Sequence, residues 1–280
     1  VYLIHDLYPD VATALRVLPE EHVVAKRFAT LQRSWLHAAD KVVVLGRCMG
    51  GHLEKRYDLA SEKIAVIPNW SDPDKIKPRG KDTKFRASNN LSGIVVLYAG
   101  NFGQYQNFDT ILDAAKDLQG RREDVTLVFV GEGARKEYIQ SRIADEKIGN
   151  VRLLPFVPSS EFEDMLASAD ISLVTLEPGA EGLGVPSKFY NILASGRPTI
   201  AIVSPESEVA RVLVEENCGV QVTQGDTQEL VGALENLAAD TTKLAQMGDN
   251  ARRACEEKYA LRHTARQFYE VFQQVANSAK

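Results

Sequence analysis

Ile94-Val95-Val96-Leu97-Tyr98-Ala99-Gly100-Asn101-Phe102-Gly103 is the stretch that decides how this chain folds. Its first six residues are apolar or aromatic without alternation, as a strand buried on both faces of a parallel sheet requires. The run then breaks on glycine, and 108–118 resumes with helical spacing. A strand that ends on a glycine turn and feeds a helix is one unit of an α/β fold.

Outward from this unit the pattern repeats. Strands are expected at 126–130, 151–154, 171–175, 199–202 and 219–222. Helices are expected at 135–146, 160–168, 188–195 and 206–216, then at 229–238 and 244–259. Alternating units of this kind build an open sheet with helices on both faces. In such sheets ligands sit at the carboxyl ends of the strands. Towards the N-terminus, 1–4, 41–45 and 63–67 read as strands and 49–57 as a helix. A second helix at 21–38 carries Val24, Phe28, Leu31 and Trp35 at helical spacing. Between the two halves, 71–92 is polar and rich in Lys, Asp and Pro, the composition of a linker. The expected division is therefore a first Rossmann-like domain at 1–70, the linker, and a second at 93–261. The amphipathic stretch to Lys280, with Phe268, Val271, Phe272 and Val275, is expected to cross back as a helix (262–280) and complete the first domain. Val1-Tyr2-Leu3-Ile4 opens directly on a core strand, so the first domain is expected to be incomplete, with sequence missing upstream.

Bulk properties narrow the function. The 280 residues are 44% hydrophobic and 25% charged, with a formal net charge of −5. No surplus of Lys and Arg is available to neutralise phosphates, which argues against a nucleic-acid partner. Cys48, Cys218 and Cys255 are odd in number, far apart and without a CxxC pair, and are expected to be reduced thiols of a cytoplasmic protein. No signal-peptide pattern and no apolar run of bilayer length is present.

The loops after strands hold the candidate chemistry. Gly100, Asn101, Gly103 and Asn107 follow the first strand of the second half, and Gly131 follows the next. Glycines there allow an anion to approach the backbone, although any strand-to-helix turn favours glycine. The loop from Glu177 to Lys188 is longer and richer in glycine, and a helix opens at Ser187-Lys188. Free N–H groups and the Lys188 ammonium would form a diphosphate site; the plainer reading is a flexible loop capped by Ser187. His5 ends the first strand, where ligands belong, or simply caps a turn with Asp6. Spacing excludes a Walker loop, and no GxGxxG follows a first strand.

Several motifs in order resemble one family: Ile67-Pro68-Asn69, Leu97-Tyr98-Ala99-Gly100-Asn101, Val130-Gly131-Glu132-Gly133, Ala169-Asp170-Ile171-Ser172-Leu173, and the run from Val185 through Ser187-Lys188 to Ile200. Together they look like the GT-B-fold retaining glycosyltransferases of family 4, in the branch that makes bacterial surface polysaccharides. The resemblance implies two facing Rossmann-like domains, with a UDP- or GDP-linked sugar donor on the second and a saccharide or lipid-linked acceptor on the first. It implies no metal, because helix ends and basic side chains stabilise the leaving diphosphate. It also implies a cytoplasmic location, with peripheral contact to the inner membrane face.

Residue by residue, the resemblance makes His5 and Lys188 the catalytic candidates. It places Phe156 and Val157 in the base-contacting loop, with core packing as the alternative, and adds Ser187 and Phe189 to the donor set. The family's ribose-holding Glu falls here on Asn191, which lacks the charge of a carboxylate. Glu181 is the nearest candidate for the motif's first Glu. The family's diphosphate-binding Arg and Lys fall on Asn101 and Asn107, which leaves Lys188 as the main positive charge. A non-catalytic nucleotide-sugar-binding module and a GT-B-fold epimerase remain the alternative readings.

Overall fold

The computed structural model describes residues 1–104 and 106–278, so Tyr105, in the first glycine loop, and Ala279-Lys280, in the expected last helix, lie outside the described residues. Two parallel sheets form. The first has three strands, β1 (Tyr2–Ile4), β2 (Val42–Val44) and β3 (Ile64–Val66), in the order β1-β2-β3. The second has six: β4 (Ile94–Ala99), β5 (Val125–Val130), β6 (Val151–Leu154), β7 (Ile171–Thr175), β8 (Thr199–Ile202) and β9 (Gly219–Val222). Their order is β6-β5-β4-β7-β8-β9. The chain winds outward from β4 through β6, then returns to the other side of β4 and winds outward again. The switch point between β4 and β7 opens a crevice at the carboxyl ends of these two strands.

Twelve helices cover the sheets among the described residues: α1 (Asp10–Ala14), α2 (Val23–Ala38), α3 (Arg47–Tyr57), α4 (Lys84–Ser88), α5 (Asp109–Gln119), α6 (Lys136–Asp145), α7 (Phe162–Ala167), α8 (Lys188–Ala194), α9 (Glu208–Glu216), α10 (Thr227–Ala239), α11 (Thr241–Glu257) and α12 (Leu261–Ser278). Short polar side chains start several of them. Ser207 accepts from the Ala210 N–H, Asp226 from Glu229 and Asp240 from Lys243, each satisfying a donor that the first helical turn leaves free. The unbroken apolar strands are explained by two cores. Val95 and Leu97 of β4 face one, while Val96 and Tyr98 face the other.

The chain crosses between the two sheets at one place. The Ser71 N–H donates to Tyr259 O and the Leu261 N–H to Ser71 O, at 3.0 Å each. From there α12 runs onto the three-stranded sheet, where Val271 packs with Val43 and Ile67.

One expectation fails on particular residues. The segment 71–92 is more than a linker: it contains α4, whose Phe85 and Arg86 are buried against the larger unit. Its fixed point is ionic, since Arg86 pairs with Asp170, which also takes the Val95 N–H at 2.8 Å and Lys81 at 3.1 Å. A five-residue helix is too short for periodicity to reveal. The helix expected at 21–38 forms as α2, and most of the apolar stripe that gives its period faces outward. Val24, Leu31 and Trp35 are 55%, 50% and 46% exposed, and the buried side is Ala25, Gln32 and Leu36. Gln32 is drawn inward because it accepts from the Tyr2 hydroxyl at 3.3 Å.

Candidate functional site

A cavity of about 200 Å³ opens at the β4–β7 switch point. Six of the residues expected to hold a donor line it: Gly100, Phe156, Val157, Ser187, Lys188 and Asn191. Leu97, Val130, Phe162, Met165, Leu166 and Ile192 make the rest of its wall mostly apolar. Phe156 stands at its mouth, 55% exposed. A concave apolar pocket with a few convergent polar groups is the usual form of a small-ligand site. Among the described residues, Lys188 is the one charged side chain in the lining.

Lys188 reaches the cavity across Gly100. That glycine has φ +142°, and a Cβ there would lie 2.7 Å from Lys188 Nζ. Its backbone conformation favours glycine, and a side chain there would push the end of the lysine aside. The ammonium donates to the Tyr98 hydroxyl at 2.6 Å and lies 3.9 Å from the centre of the Tyr98 ring. Burial pushes the Lys188 amine down to about 7 and the Tyr98 hydroxyl far up, because a group removed from water loses the solvation that favours its charged form.

Asn191 projects from α8 into the same cavity, half-buried, with Oδ1 accepting from the Ser71 hydroxyl at 2.8 Å. Ser187 precedes α8 with helical backbone angles and makes no side-chain cap, so its hydroxyl is not spent on the helix.

The remaining expected residues have other surroundings. Gly131 packs against the Gly100 carbonyl, where a Cβ would come within 1.9 Å of the oxygen. Its role there is the close approach of two loops. Gly103 donates its N–H to Gln106 Oε1 at 2.9 Å, and Asn101 is exposed at the loop surface. Asn107 accepts from both the N–H and the hydroxyl of Thr110, tying down the start of α5. Phe189 is fully buried in the core. Glu181 accepts from the Gly179 N–H and from Gln224, and borders a separate polar cavity with Asp10, His52 and Arg56.

His5 is exposed at the end of β1 and does not line the β4–β7 cavity. Its neighbour Asp6 bridges to Gly184, and the Leu7 N–H donates to Leu183 O at 2.9 Å. The Leu183 side chain is buried in the core of the three-stranded unit, with Ile4 and Leu7. The glycine loop leading to Lys188 is thus stitched to the strand end that carries His5. Farther along, Arg47 clasps Glu208 and Glu215 across the two units.

Two residues that contact the cavity lining, Tyr98 through Lys188 and Ser71 through Asn191, were not among the expected site residues. Tyr98 reads as one more buried strand residue, and Ser71 as linker; only the hydroxyl at the inner end of an apolar strand hints at the first. Cys48, Cys218 and Cys255 are all free thiols, the last two buried. Among the described residues, no helix is long and apolar enough to cross a membrane. Nor is any group of three His, Cys, Asp or Glu placed to hold a metal ion.

Residues 81–254 match the family model described as glycosyl transferases group 1. The chain is 26% identical over 262 residues to the protein named "Probable glycosyltransferase WbjE" of Pseudomonas aeruginosa, covering 93% of this chain and 64% of that one. It is 26% identical over 194 residues to WcaI of Escherichia coli K12, whose name assigns it to colanic acid biosynthesis, covering 68% and 47%. The chain therefore spans less than two thirds of the length of either relative. Among solved structures, HepE of Anabaena in complex with UDP superposes with a TM-score of 0.80 at 18% identity, covering 98% of this chain and 71% of that one. Sucrose-phosphate synthase of Thermosynechococcus elongatus gives 0.80 at 19% identity, covering 99% and 67%. At such identities the structural likeness speaks for the fold, which is the GT-B type.

Proposed function

Because this chain belongs to the glycosyl transferases group 1 family, we propose that its β4–β7 cavity holds a nucleotide-diphosphate sugar for transfer to a saccharide or lipid-linked acceptor. The observation that carries this reading is the convergence of Gly100, Phe156, Val157, Ser187, Lys188 and Asn191 on one cavity with a single positive charge. The base packs in the apolar part beside Phe156 and Val157, the ribose lies near Asn191, and the diphosphate meets Lys188. UDP is the favoured nucleotide over GDP, supported by the relative solved with UDP.

Transfer proceeds with retention. The bond from the anomeric carbon to the diphosphate oxygen breaks, and the acceptor oxygen bonds to that carbon on the same face. The acceptor's proton passes to the departing diphosphate. Lys188 offsets the charge that develops on that leaving group, the kind of electrostatic stabilisation that contributes most when the donor group is already in place. No metal is needed for this step. His5, carried on the strand end stitched to the glycine loop, hydrogen-bonds the sugar as positive charge grows on its ring. The domains act as 1–70 with the C-terminal helix on the acceptor side and 93–261 on the donor side. The setting is the cytoplasm, with the acceptor met at the inner membrane face.

Incubation with UDP-glucose or GDP-mannose, with and without saccharide acceptors and with EDTA present, tests this. Nucleotide release that rises with acceptor, survives EDTA and gives a product of unchanged anomeric configuration is expected. Tight donor binding without release under any condition would favour the non-catalytic binding module instead. Recovery of an epimerised donor would favour the epimerase.

A further inference from the structure

We propose that Tyr98 is a positioning residue for the donor diphosphate, holding the Lys188 amine at the cavity without a counter-charge, so that the diphosphate is captured together with a proton. This rests on the donor-site reading above and specifies how the site takes its anion.

The geometry fixes the direction of each hydrogen bond. The Tyr98 side chain is fully buried, its ring set among Phe102, Phe108 and Phe129 at centroid distances of 5.9, 5.1 and 6.1 Å. Its hydroxyl donates to Asn101 O at 2.8 Å. A phenol has one O–H to give, so towards Lys188, at 2.6 Å, the same oxygen can only accept. Lys188 thus donates one N–H to a neutral, immobile oxygen above an aromatic face. Its other N–H groups have no partner among the described residues.

Among the described residues, no carboxylate balances the amine. On β4 the titratable group facing it is Tyr98, and the following loop offers neutral Gly100 and Asn101. Beyond β5, Glu132 is paired with Lys136 at 2.7 Å. In the loop before α8, Glu177 faces Arg135 at 3.6 Å, and Glu181 is held by Gly179 and Gln224. From the three-stranded unit, Asp6 and His5 approach the loop at Gly184. The walls contributed by β6, α7 and their loops are Phe156, Val157, Phe162, Met165 and Leu166. Burial alone therefore sets the amine, at about 7.

A group poised there is partly neutral in the empty site at neutral pH. A bound diphosphate supplies the missing negative charge, favours the ammonium and draws a proton from solvent. The sign follows directly: affinity is full below about pH 7 and falls above it, by up to tenfold per unit.

Titration calorimetry with UDP-glucose, and with GDP-mannose, in buffers of different ionisation enthalpy at about pH 7.5 reads the proton. A nucleotide-sugar diphosphate has no ionisation of its own near neutrality, so an uptake must come from the protein. Wild type is expected to take up a substantial fraction of one proton per donor bound, and Lys188→Met none. Tyr98→Phe, with melting temperature followed alongside, is expected to bind the nucleotide sugar about tenfold more weakly and the bare nucleoside unchanged. Donor binding without proton uptake, or a Tyr98→Phe variant that loses nucleoside and nucleotide sugar equally, overturns the proposal and leaves the donor-site reading standing. Failure of both nucleotide sugars to bind removes both.

Discussion

Ser71 donates its hydroxyl hydrogen to Oδ1 of Asn191 at 2.8 Å, and this decides which half of the amide is left for a ligand. The carbonyl end is engaged by the residue at which the chain crosses between its two sheets. The –NH2 end remains to donate, so a ribose hydroxyl beside Asn191 would act as acceptor. Asn191→Ala should raise the KM for the donor. A 2′-deoxyribose donor should lose less on this variant than on wild type. Additive losses in that double-mutant cycle would place Asn191 away from the ribose.

His5 is tied to the glycine loop before Lys188 through Asp6 and Gly184, yet it lies outside the cavity wall. If it serves the transferred sugar, it does so where the sugar emerges from that wall. His5→Ala should then lower kcat for transfer while leaving free UDP binding nearly unchanged, the pattern of a contact made mainly in the transition state. A parallel loss of UDP affinity would assign His5 to the stitching of the glycine loop instead.

Asp170 belongs to a motif shared with the resembled family, and the structure gives it a structural task. Its carboxylate is buried among Arg86, Lys81 and the Val95 N–H. Removing it leaves the Arg86 guanidinium buried without a counter-ion, which typically costs about 3–5 kcal/mol. Asp170→Ala should therefore lower the midpoint of denaturant unfolding steeply. A midpoint close to that of wild type would contradict the anchoring role.

How much of this was readable from residues alone follows from the kind of signal each feature leaves. The strands of the larger sheet announce themselves because both faces are buried, so runs such as Ile94–Ala99 carry no polar interruption. The face of α2 does not, because its stripe of Val24, Leu31 and Trp35 gives the period without saying what covers it. Among the residues that line the cavity, Gly100, Ser187 and Lys188 were legible from loop chemistry. Phe156, Val157 and Asn191 came only from family resemblance. Gly131 lies in one of the same motifs and Asn107 stands where the family carries a basic residue, but a close backbone approach and a capping hydrogen bond explain them here. Tyr98 lies in a matched motif, yet its contact with Lys188 was not legible, because a buried hydroxyl looks like core until its partner is known.

The central claim is that Lys188 serves a diphosphate in the β4–β7 cavity. Equilibrium binding of uridine and of UDP to wild type and to Lys188→Ala tests it most directly. Hydrogen bonds to charged groups contribute about 1.5–3 kcal/mol, so the variant should lose about ten- to a hundredfold in UDP affinity and little in uridine affinity. Equal losses for both ligands would show that Lys188 only supports the fold, and the diphosphate assignment would fall.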